Sequence, residues 1–315
     1  HNVTLQGGKV FKTVQCLHDE GFVVVKVYIK RDKGLSLKRY QVKLSELEKK
    51  FQLHLQPGII IMRKLDQTDK AAYLVRQFFA YNLHDRFHTH PFLTQVEKKW
   101  FAFQMLTSLT QMHGLGVRHG DIKSENIMVT TWNWSFLTDI AFYKPTYLPA
   151  DNPADYSFYF DSGQRRRCYL APERFYSQLT DRDASAKDDV LFCAFVKLTC
   201  QAMDIFSAGC VIAEIFLEGE AIFDLPQLLA YREGKYDPTP LINKIGSPDV
   251  RTLILHMIQR EPSKRHSAKS YLKQWSKRTF PRYFPFLYKF FAKLLSPELA
   301  DADIKIQVGS LAEPH

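Results

Sequence analysis

The hydrophobic residues of the first eighty positions fall into short, separate groups. Residues 10–14 and 22–29 are rich in valine and are separated by a polar turn, which predicts a β-hairpin. Residues 35–55 place their apolar positions at helical spacing, whereas the short apolar run 59–62 and the apolar-rich stretch 72–79 are typical of strands. The pattern therefore predicts a small lobe in which four strands accompany one helix.

A helical pattern dominates the chain after residue 82. Residues 96–112 place large apolar side chains on successive turns, which predicts a buried helix that ends at Gly114. Further predicted elements are two short strands at 127–129 and 136–138, an irregular stretch at 141–168, and helices at 202–217, 225–232, 250–259 and 268–274. The apolar stretch 190–200 is interpreted as a helix docked on this larger lobe. The fold class is thus α+β, with a small strand-rich lobe and a larger helical lobe.

The composition is that of a folded chain and narrows the classes of protein. The 315 residues are 45% hydrophobic and 24% charged, which suits one large domain or two lobes. A net charge of +10 is compatible with phosphate-rich ligands, acidic membranes or a solvated excess. No recognised nucleic-acid motif accompanies that charge, so a nucleic-acid partner is not expected.

The five cysteines form no Cys-x-x-Cys pair, which disfavours a zinc site or disulfide framework and favours a reducing compartment. No apolar run reaches the roughly 18 residues that a membrane-spanning helix needs.

Two short motifs in the larger lobe carry the strongest chemical signal. Residues 119–126 are His-Gly-Asp-Ile-Lys-Ser-Glu-Asn, and residues 139–141 are Asp-Ile-Ala. They resemble the His-Arg-Asp and Asp-Phe-Gly motifs of protein kinases, in which an Asn follows the first Asp by five residues. The resemblance implies a two-lobed protein-kinase fold. The corresponding divisions are a small lobe at 1–80, a large lobe at 81–280 with an insertion near 176–201, and a helical extension at 281–315.

The polar residues of these motifs have distinct expected roles. Asp121 is the candidate base for the proton of an attacking hydroxyl, and Lys123 is placed to offset charge on the transferring phosphoryl group. Asn126 and Asp139 are expected to hold Mg²⁺ or Mn²⁺, because hard divalent cations prefer oxygen ligands of this kind. A polar loop without chemistry is the alternative, but the motif lies between a long helix and two short strands, as the kinase site requires.

Lys26 is the candidate phosphate-binding residue of the small lobe. It lies among valines on a predicted strand, where a buried ammonium group needs an anionic partner. The third strand of a kinase carries such a lysine, which binds the α- and β-phosphates of ATP or GTP. Its usual carboxylate partner comes from the following helix, and both Glu46 and Glu48 are candidates.

The glycine-rich loop that covers the nucleotide in kinases is incomplete in this chain. Only Gly7 and Gly8 precede Val10, where the kinase pattern has three glycines before its valine. These three residues are still predicted to bind nucleotide, although a plain turn is the alternative. The predicted nucleotide-binding residues at the end of the last small-lobe strand are Gln77, Phe78 and Phe79.

Two departures from the kinase pattern bear on regulation. Gly120 replaces the arginine that pairs with an activation-loop phosphate in many kinases, so regulation by such a phosphate is not expected. Ile140 and Ala141 replace Phe-Gly, and alanine lacks the freedom of glycine at positive φ. A flip of Asp139 out of the site should therefore be harder than in a kinase with Asp-Phe-Gly.

Three further residues are expected to support the architecture of the large lobe. Glu173 lies in Ala-Pro-Glu, and the kinase resemblance pairs it with Arg265. Asp204, at the start of a helical pattern, resembles the kinase aspartate that supports the catalytic loop. The catalytic loop of this chain is the motif at residues 119–126. Joint presence of the three indicates that the whole large lobe is a kinase lobe.

Two surface features have alternative interpretations. The arginines at 165–167 are interpreted as a solvated run, with an acidic partner as the alternative. The apolar stripe at 286–295 recurs at helical spacing and is interpreted as a docking face for a further helical unit, with an acidic bilayer surface as the alternative.

Longer strings narrow the family. They lie at 116–130, 132–134, 142–149, 151–155, 171–175, 202–214 and 228–232. The chain resembles, over about residues 4–290, the protein-kinase-like regulatory subunit of the class III phosphatidylinositol 3-kinase complex, the p150 or vacuolar protein sorting type. That family also has His-Gly-Asp and a metal motif without the final glycine.

The resemblance implies a function and a location. It implies a serine/threonine kinase domain that supports the lipid kinase catalytic subunit, with its adaptor subunits, in endosomal sorting and autophagy. It implies a cytoplasmic protein, peripheral on endosomal and autophagosomal membranes, with a lipid anchor outside these residues. The alternative is a catalytically inactive pseudokinase scaffold stabilised by nucleotide.

Overall fold

The small lobe is a five-stranded antiparallel sheet with one helix. The computed structural model describes residues 3–7, 10–19, 21–30, 36–51, 55–161, 165–176 and 195–295. The strands of the sheet are β1 Val3–Gly7, β2 Lys12–His18, β3 Gly21–Ile29, β4 Arg63–Gln67 and β5 Ala71–Gln77, in the spatial order β1-β2-β3-β5-β4. The helix, α1 Lys38–Lys50, buries Leu44 against Met62 and Leu74. Gly21 has φ +118° at the tight β2–β3 turn, a backbone conformation that favours glycine.

The large lobe is mostly helical. Its helices are α2 Leu83–Phe87, α3 Gln95–Gly114, α4 Pro153–Tyr159, α5 Phe195–Phe216, α6 Leu225–Arg232, α7 Thr239–Ile242, α8 Pro248–Met257, α9 Ala268–Gln274 and α10 Phe284–Leu294. Short strands accompany them: β6 Tyr81–Asn82, β7 Ile127–Val129, β8 Ser135–Leu137, β9 Leu148–Pro149 and β10 Phe175–Tyr176. The three strands β6, β7 and β8 form one small sheet, and β9 pairs with β10. The predicted α+β class with a strand-rich and a helical lobe is confirmed.

The core of the large lobe is built on α3 and α5. Leu106, Leu109 and Met112 of α3 are fully buried, as the helical spacing predicted. On α5, Gly209 lies so close to α8 that an added Cβ would be 2.8 Å from Met257 Cβ. Trp100 of α3 packs edge-on to the first residue of α10, so this last helix lies on the large lobe.

Several predicted boundaries were wrong, and one predicted strand was misplaced. Residues 59–62 form only an isolated bridge, Ile59 to Leu137, and the strand begins at β4 instead. Ile59 and Met62 are buried by contact with the core. An apolar run indicates that residues are buried, but it does not show whether they pair in a sheet. The irregular stretch at 141–168 contains α4 and β9, and α2 is too short to show a helical period.

The stretch at 190–200 is described only in part. Residues from 195 form the first turns of α5, while 190–194 lie outside the described residues. Most of the insertion predicted near 176–201 is likewise outside them. Among the described residues, no helix combines the length and the apolar composition of a membrane-spanning segment.

Candidate active site

The loop between α3 and β7 carries the candidate base and is held from below by α5. Both backbone N–H groups before the base donate to Asp204, His119 N at 2.8 Å and Gly120 N at 2.9 Å. His113 Nε2 lies 3.0 Å from the same carboxylate. Gly120 has φ +77°, which explains why glycine suits a position where the kinase pattern has arginine. The predicted brace, Asp204, is therefore in direct contact with the loop.

Asp121 lies at the centre of the loop and is almost fully buried. Asn126 Nδ2 donates to its carboxylate Oδ2 at 2.9 Å and to its carbonyl at 2.8 Å. Lys144 Nζ donates to the same Oδ2 at 2.6 Å, a contact that the sequence did not predict. Burial favours the neutral acid, but the charges of Lys144 and Lys123 outweigh it and lower the pKa of Asp121. The base is thus ionised at neutral pH and already paired.

The Lys26 ammonium group meets Asp139 across the two lobes. Lys26 Nζ lies 2.9 Å from Asp139 Oδ1, and Arg76 Nε of β5 lies 3.7 Å from the same oxygen. Burial opposes ionisation, yet these two cations hold the pKa of Asp139 well below its usual range. Asp139 has φ +65°, a left-handed backbone conformation uncommon outside glycine. Glu46 and Glu48, the predicted partners of Lys26, are both exposed on α1.

Lys123 extends from the same loop toward α4. Its Nζ donates to the carbonyl of Phe160 at 3.4 Å. Burial lowers the pKa of Lys123, but the nearby carboxylates, Asp121 first among them, outweigh it and raise that pKa. The side chains of Lys26, Lys123 and Lys144 therefore lie around the two carboxylates. Burial lowers the pKa of Lys144, and the Asp121 carboxylate opposes that shift.

Arg174 links the segment that follows Asp139-Ile140-Ala141 to the catalytic loop. Its Nε donates to the carbonyl of Thr146 at 2.8 Å, its Nη1 to that of Gly120 at 2.8 Å, and its Nη2 to that of Pro145 at 3.1 Å. The guanidinium also lies over the Phe160 ring, 4.8 Å from the centroid. An arginine from outside the His-Gly-Asp motif therefore joins loop and segment through carbonyl groups. Such a contact requires no phosphate.

The interpretation of the three consecutive arginines as a solvated run was wrong for two of them. Arg165 Nη1 lies 3.7 Å from Glu125 Oε1, and Arg167 pairs with Glu214 of α5. Glu214 is completely buried, and burial raises its pKa to about 7 in spite of Arg167. Arg166 between them is exposed. Neighbouring residues in one polar run thus differ in exposure, which the sequence pattern does not reveal.

The predicted architectural pair lies in contact at the base of the site. Arg265 makes a bidentate interaction with Glu173, at 2.7 and 2.9 Å. Its remaining donors reach the carbonyl groups of Gln259, Ala202 and Arg260 at 2.6, 2.9 and 3.1 Å. A buried guanidinium with every nitrogen engaged fixes the segment around Glu173 against α5 and α8.

The described nucleotide-binding candidates of the small lobe, apart from Lys26, lie beside the β1–β2 turn and at the end of β5. Gly7 ends β1 and pairs with Lys12 of β2, and Val10 is half-buried in the turn between these strands, whereas Gly8 lies outside the described residues. Beyond β5, Phe78 N donates to the Phe22 carbonyl at 3.1 Å.

Gln77 and Phe79, on either side of Phe78, differ in their surroundings. Gln77 is exposed at the end of β5, and the Phe79 ring lies 5.2 Å from that of Phe136 in the large lobe. This stretch is therefore the connection that joins the two lobes beside the site.

The donor set fits a divalent metal ion bound together with a phosphate chain. Among the described residues, no three His, Cys, Asp or Glu side chains gather to form a protein-only metal cage. Asp139 Oδ1 is buried. Among the described residues, Lys26 and Arg76 form ion pairs with this oxygen, but none donates a hydrogen bond of good geometry to it. Asn126 uses its Nδ2 toward Asp121, which leaves its amide oxygen for a ligand. One carboxylate and one amide oxygen suit Mg²⁺, which takes few protein ligands alongside substrate phosphates and water.

Comparisons with known proteins support the fold. The chain matches the protein kinase domain family over residues 6–276. It is 47% identical over 300 residues to a probable serine/threonine-protein kinase vps15 of Dictyostelium discoideum, covering 95% of this chain and 15% of that protein. It is 49% identical over 276 residues to the serine/threonine-protein kinase VPS15 of Arabidopsis thaliana, covering 88% and 18% respectively.

A fungal relative gives the same result. The chain is 43% identical over 296 residues to the serine/threonine-protein kinase VPS15 of Saccharomyces cerevisiae, covering 93% of this chain and 20% of that protein. The chain thus spans a fifth or less of the length of these three relatives.

Proposed function

This chain belongs to the VPS15 family of serine/threonine-protein kinases, and we propose that it binds a nucleoside triphosphate, ATP or GTP, with Mg²⁺ or Mn²⁺ between its two lobes. The observation that carries the proposal is the contact of Lys26 from the small lobe with Asp139 from the large lobe, beside Asp121. These residues come from separate parts of the chain and meet only on folding.

Each residue of the site has a proposed role in binding the triphosphate or in transferring its phosphoryl group. Lys26 and Lys123 supply charge toward the phosphate oxygens, and their half-buried setting strengthens that attraction. Asp139 and the amide oxygen of Asn126 would hold the metal ion, which when bound neutralises charge on the phosphates. Asp121 is placed to orient a Ser or Thr hydroxyl and accept its proton. The reaction class is phosphoryl transfer to a protein hydroxyl.

Calorimetric titration of the chain with ATP and with GTP, each with Mg²⁺ or Mn²⁺, tests the proposal. We expect binding that requires the metal and is abolished by Asp139→Ala. Asp237→Ala is the matched control, because Asp237 is exposed in the loop before α7. If Asp139→Ala binds metal and nucleotide as the parent chain does, the assigned role of Asp139 is wrong. If the parent chain binds neither nucleotide, the proposal fails.

A second candidate function is a pseudokinase scaffold that binds nucleotide without turnover. The ion pair between Lys144 and Asp121 favours it, because the candidate base already has a cationic partner. Phosphate transfer to a degenerate serine/threonine peptide library, compared between the parent chain and Asp121→Asn, separates the two. Transfer that is lost in Asp121→Asn identifies the enzyme, and a parent chain that binds nucleotide without transfer identifies the scaffold.

We also infer that the chain supports the class III phosphatidylinositol 3-kinase catalytic subunit and its autophagy and endosomal adaptors. The resemblance to that complex's regulatory subunit supports this. On the same resemblance, we propose a cytoplasmic location on endosomal and autophagosomal membranes through a lipid anchor. Size-exclusion chromatography of the chain within its complete protein, mixed with the lipid kinase, tests the association. Separate elution of the two at micromolar concentration would contradict it.

A further inference from the structure

We propose that Lys144 is a built-in blocking residue of the phosphoryl-transfer site, whose ammonium group takes the place at Asp121 that an acceptor hydroxyl must occupy. The inference rests on the proposed nucleotide binding and adds a reason why transfer to protein hydroxyls is suppressed. Lys144 Nζ lies 2.6 Å from Asp121 Oδ2, and its side chain is only 9% exposed. This proximity and burial mark a lysine that has left solvent to pair with the base.

Lys144 is held by the packing of its own segment. We call residues 142–146 the blocking segment. At its start, the Tyr143 ring packs edge-on to Phe11 of the small lobe, with centroids 4.9 Å apart, and Phe142 packs beside it. Lys144 N donates to the Ala141 carbonyl at 3.2 Å, which forms a turn. The segment is therefore anchored to the small lobe on one side of the lysine.

The other side of the blocking segment is anchored to the large lobe. Arg174 donates to the carbonyl groups of Pro145 and Thr146, as well as to that of Gly120 in the catalytic loop. Lys144 Nζ also lies over the Phe160 ring, 4.8 Å from its centroid. The anchors on both sides fix the backbone that presents Lys144 to Asp121. Rotation of the side chain away from Asp121 would also give up its contact with the Phe160 ring.

The chemistry of transfer explains why the contact is inhibitory. The acceptor oxygen forms a bond to the γ-phosphorus while its proton passes to the Asp121 carboxylate. The bond from that phosphorus to the bridging oxygen breaks, and the nucleoside diphosphate leaves with the electron pair. A general base must lie within hydrogen-bond reach of the proton it accepts. Asp121 Oδ2 already accepts from Lys144 and Asn126, so a hydroxyl that uses this oxygen has to displace the lysine.

Replacement of the lysine without its charge tests the proposal directly. Lys144→Met keeps the length and apolar stem of the side chain, and Lys144→Arg keeps its charge. Transfer of phosphate from ATP or GTP to a degenerate serine/threonine peptide library is measured at saturating nucleotide, with affinity determined on the same samples. Because general-base catalysis contributes roughly 10²- to 10⁴-fold, we expect Lys144→Met to transfer at least about tenfold faster than the parent chain. Lys144→Arg and the exposed control Lys235→Met should stay near the parent rate.

Thermal unfolding provides a readout that is independent of catalysis. Lys144→Met leaves Asp121 buried without its cation, so it should lower Tm in the parent background and much less in the Asp121→Asn background. Equal Tm shifts in both backgrounds would show that Lys144 does not interact with Asp121 and would overturn the proposal. A Lys144→Met variant that binds nucleotide but transfers no faster, or an equal gain in Lys144→Arg, would overturn the block. Failure of the parent chain to bind nucleotide refutes instead the proposed function, and with it the inference.

Discussion

Replacement of Asp204 by asparagine should destabilise the chain strongly, although the two side chains have nearly the same shape. Asp204 is 2% exposed and lies beneath the catalytic loop. Its Oδ1 accepts from Gly120 N and its Oδ2 from His119 N, so each carboxylate oxygen serves one backbone donor. Asparagine has only one acceptor oxygen and must present its NH₂ group to the other backbone N–H.

The magnitude follows from the hydrogen bonds that are lost. A buried donor left without a partner costs about 1–3 kcal/mol. The surviving bond also loses its charge assistance, and hydrogen bonds to charged groups are worth about 1.5–3 kcal/mol. Because the loop relaxes in part, we expect Asp204→Asn to lower the free energy of unfolding by about 3 kcal/mol.

Urea unfolding at pH 7, followed by circular dichroism and extrapolated linearly, measures this difference. The control is the same substitution at Asp249, which is 46% exposed and lies 3.8 Å from Arg278. A surface pair of this kind contributes at most about 1 kcal/mol. An Asp204→Asn variant within about 1 kcal/mol of the parent chain would refute the reasoning.

The pH dependence gives a second test of the same site. Burial alone would raise the pKa of Asp204, but hydrogen bonds from His113 and the backbone lower it below its ordinary value of 3.8. A carboxyl whose pKa is depressed in the folded state stabilises above its ordinary pKa and loses that contribution as the pH falls. The stability gap between the parent chain and Asp204→Asn should therefore narrow below pH 3.8.

The buried arginine and glutamate beside the loop give the remaining predictions. Arg167→Met should lower the free energy of unfolding by about 3 kcal/mol at pH 8, because it leaves Glu214 buried without its cation, and urea unfolding measures this loss. Arg166→Met, at the exposed neighbour, should change it by under about 0.5 kcal/mol, and equal effects would contradict the assignment. The raised pKa of Glu214, about 7 against an ordinary 4.5, means that the folded state binds the proton more tightly than the unfolded state. Relative to Glu214→Gln, the parent chain should therefore lose up to about 3 kcal/mol of stability between pH 4.5 and 7, and a flat difference across that range would count against it.

Residues that act within one loop were predictable from their spacing. Asp121 and Asn126 lie five positions apart, and the loop geometry brings the amide onto the carboxylate. The pairing of Glu173 with Arg265 was expected from the kinase resemblance alone, and the structure places these distant residues in contact. The misplaced strand at 59–62 shows the limit of periodicity, because burial against the lobe core and pairing in a sheet produce the same apolar run.

The sequence by itself determined the lobes, the long helices and the set of chemical groups, because apolar spacing and short motifs report local conformation and burial. For the charged groups of the candidate site, only the tertiary structure decided which of them meet. Lys26 pairs with Asp139, Lys144 with Asp121, and Arg174 joins the blocking segment to the catalytic loop. The energy of such pairs depends on distance and on exclusion of water, and both arise only when segments far apart in the chain pack together.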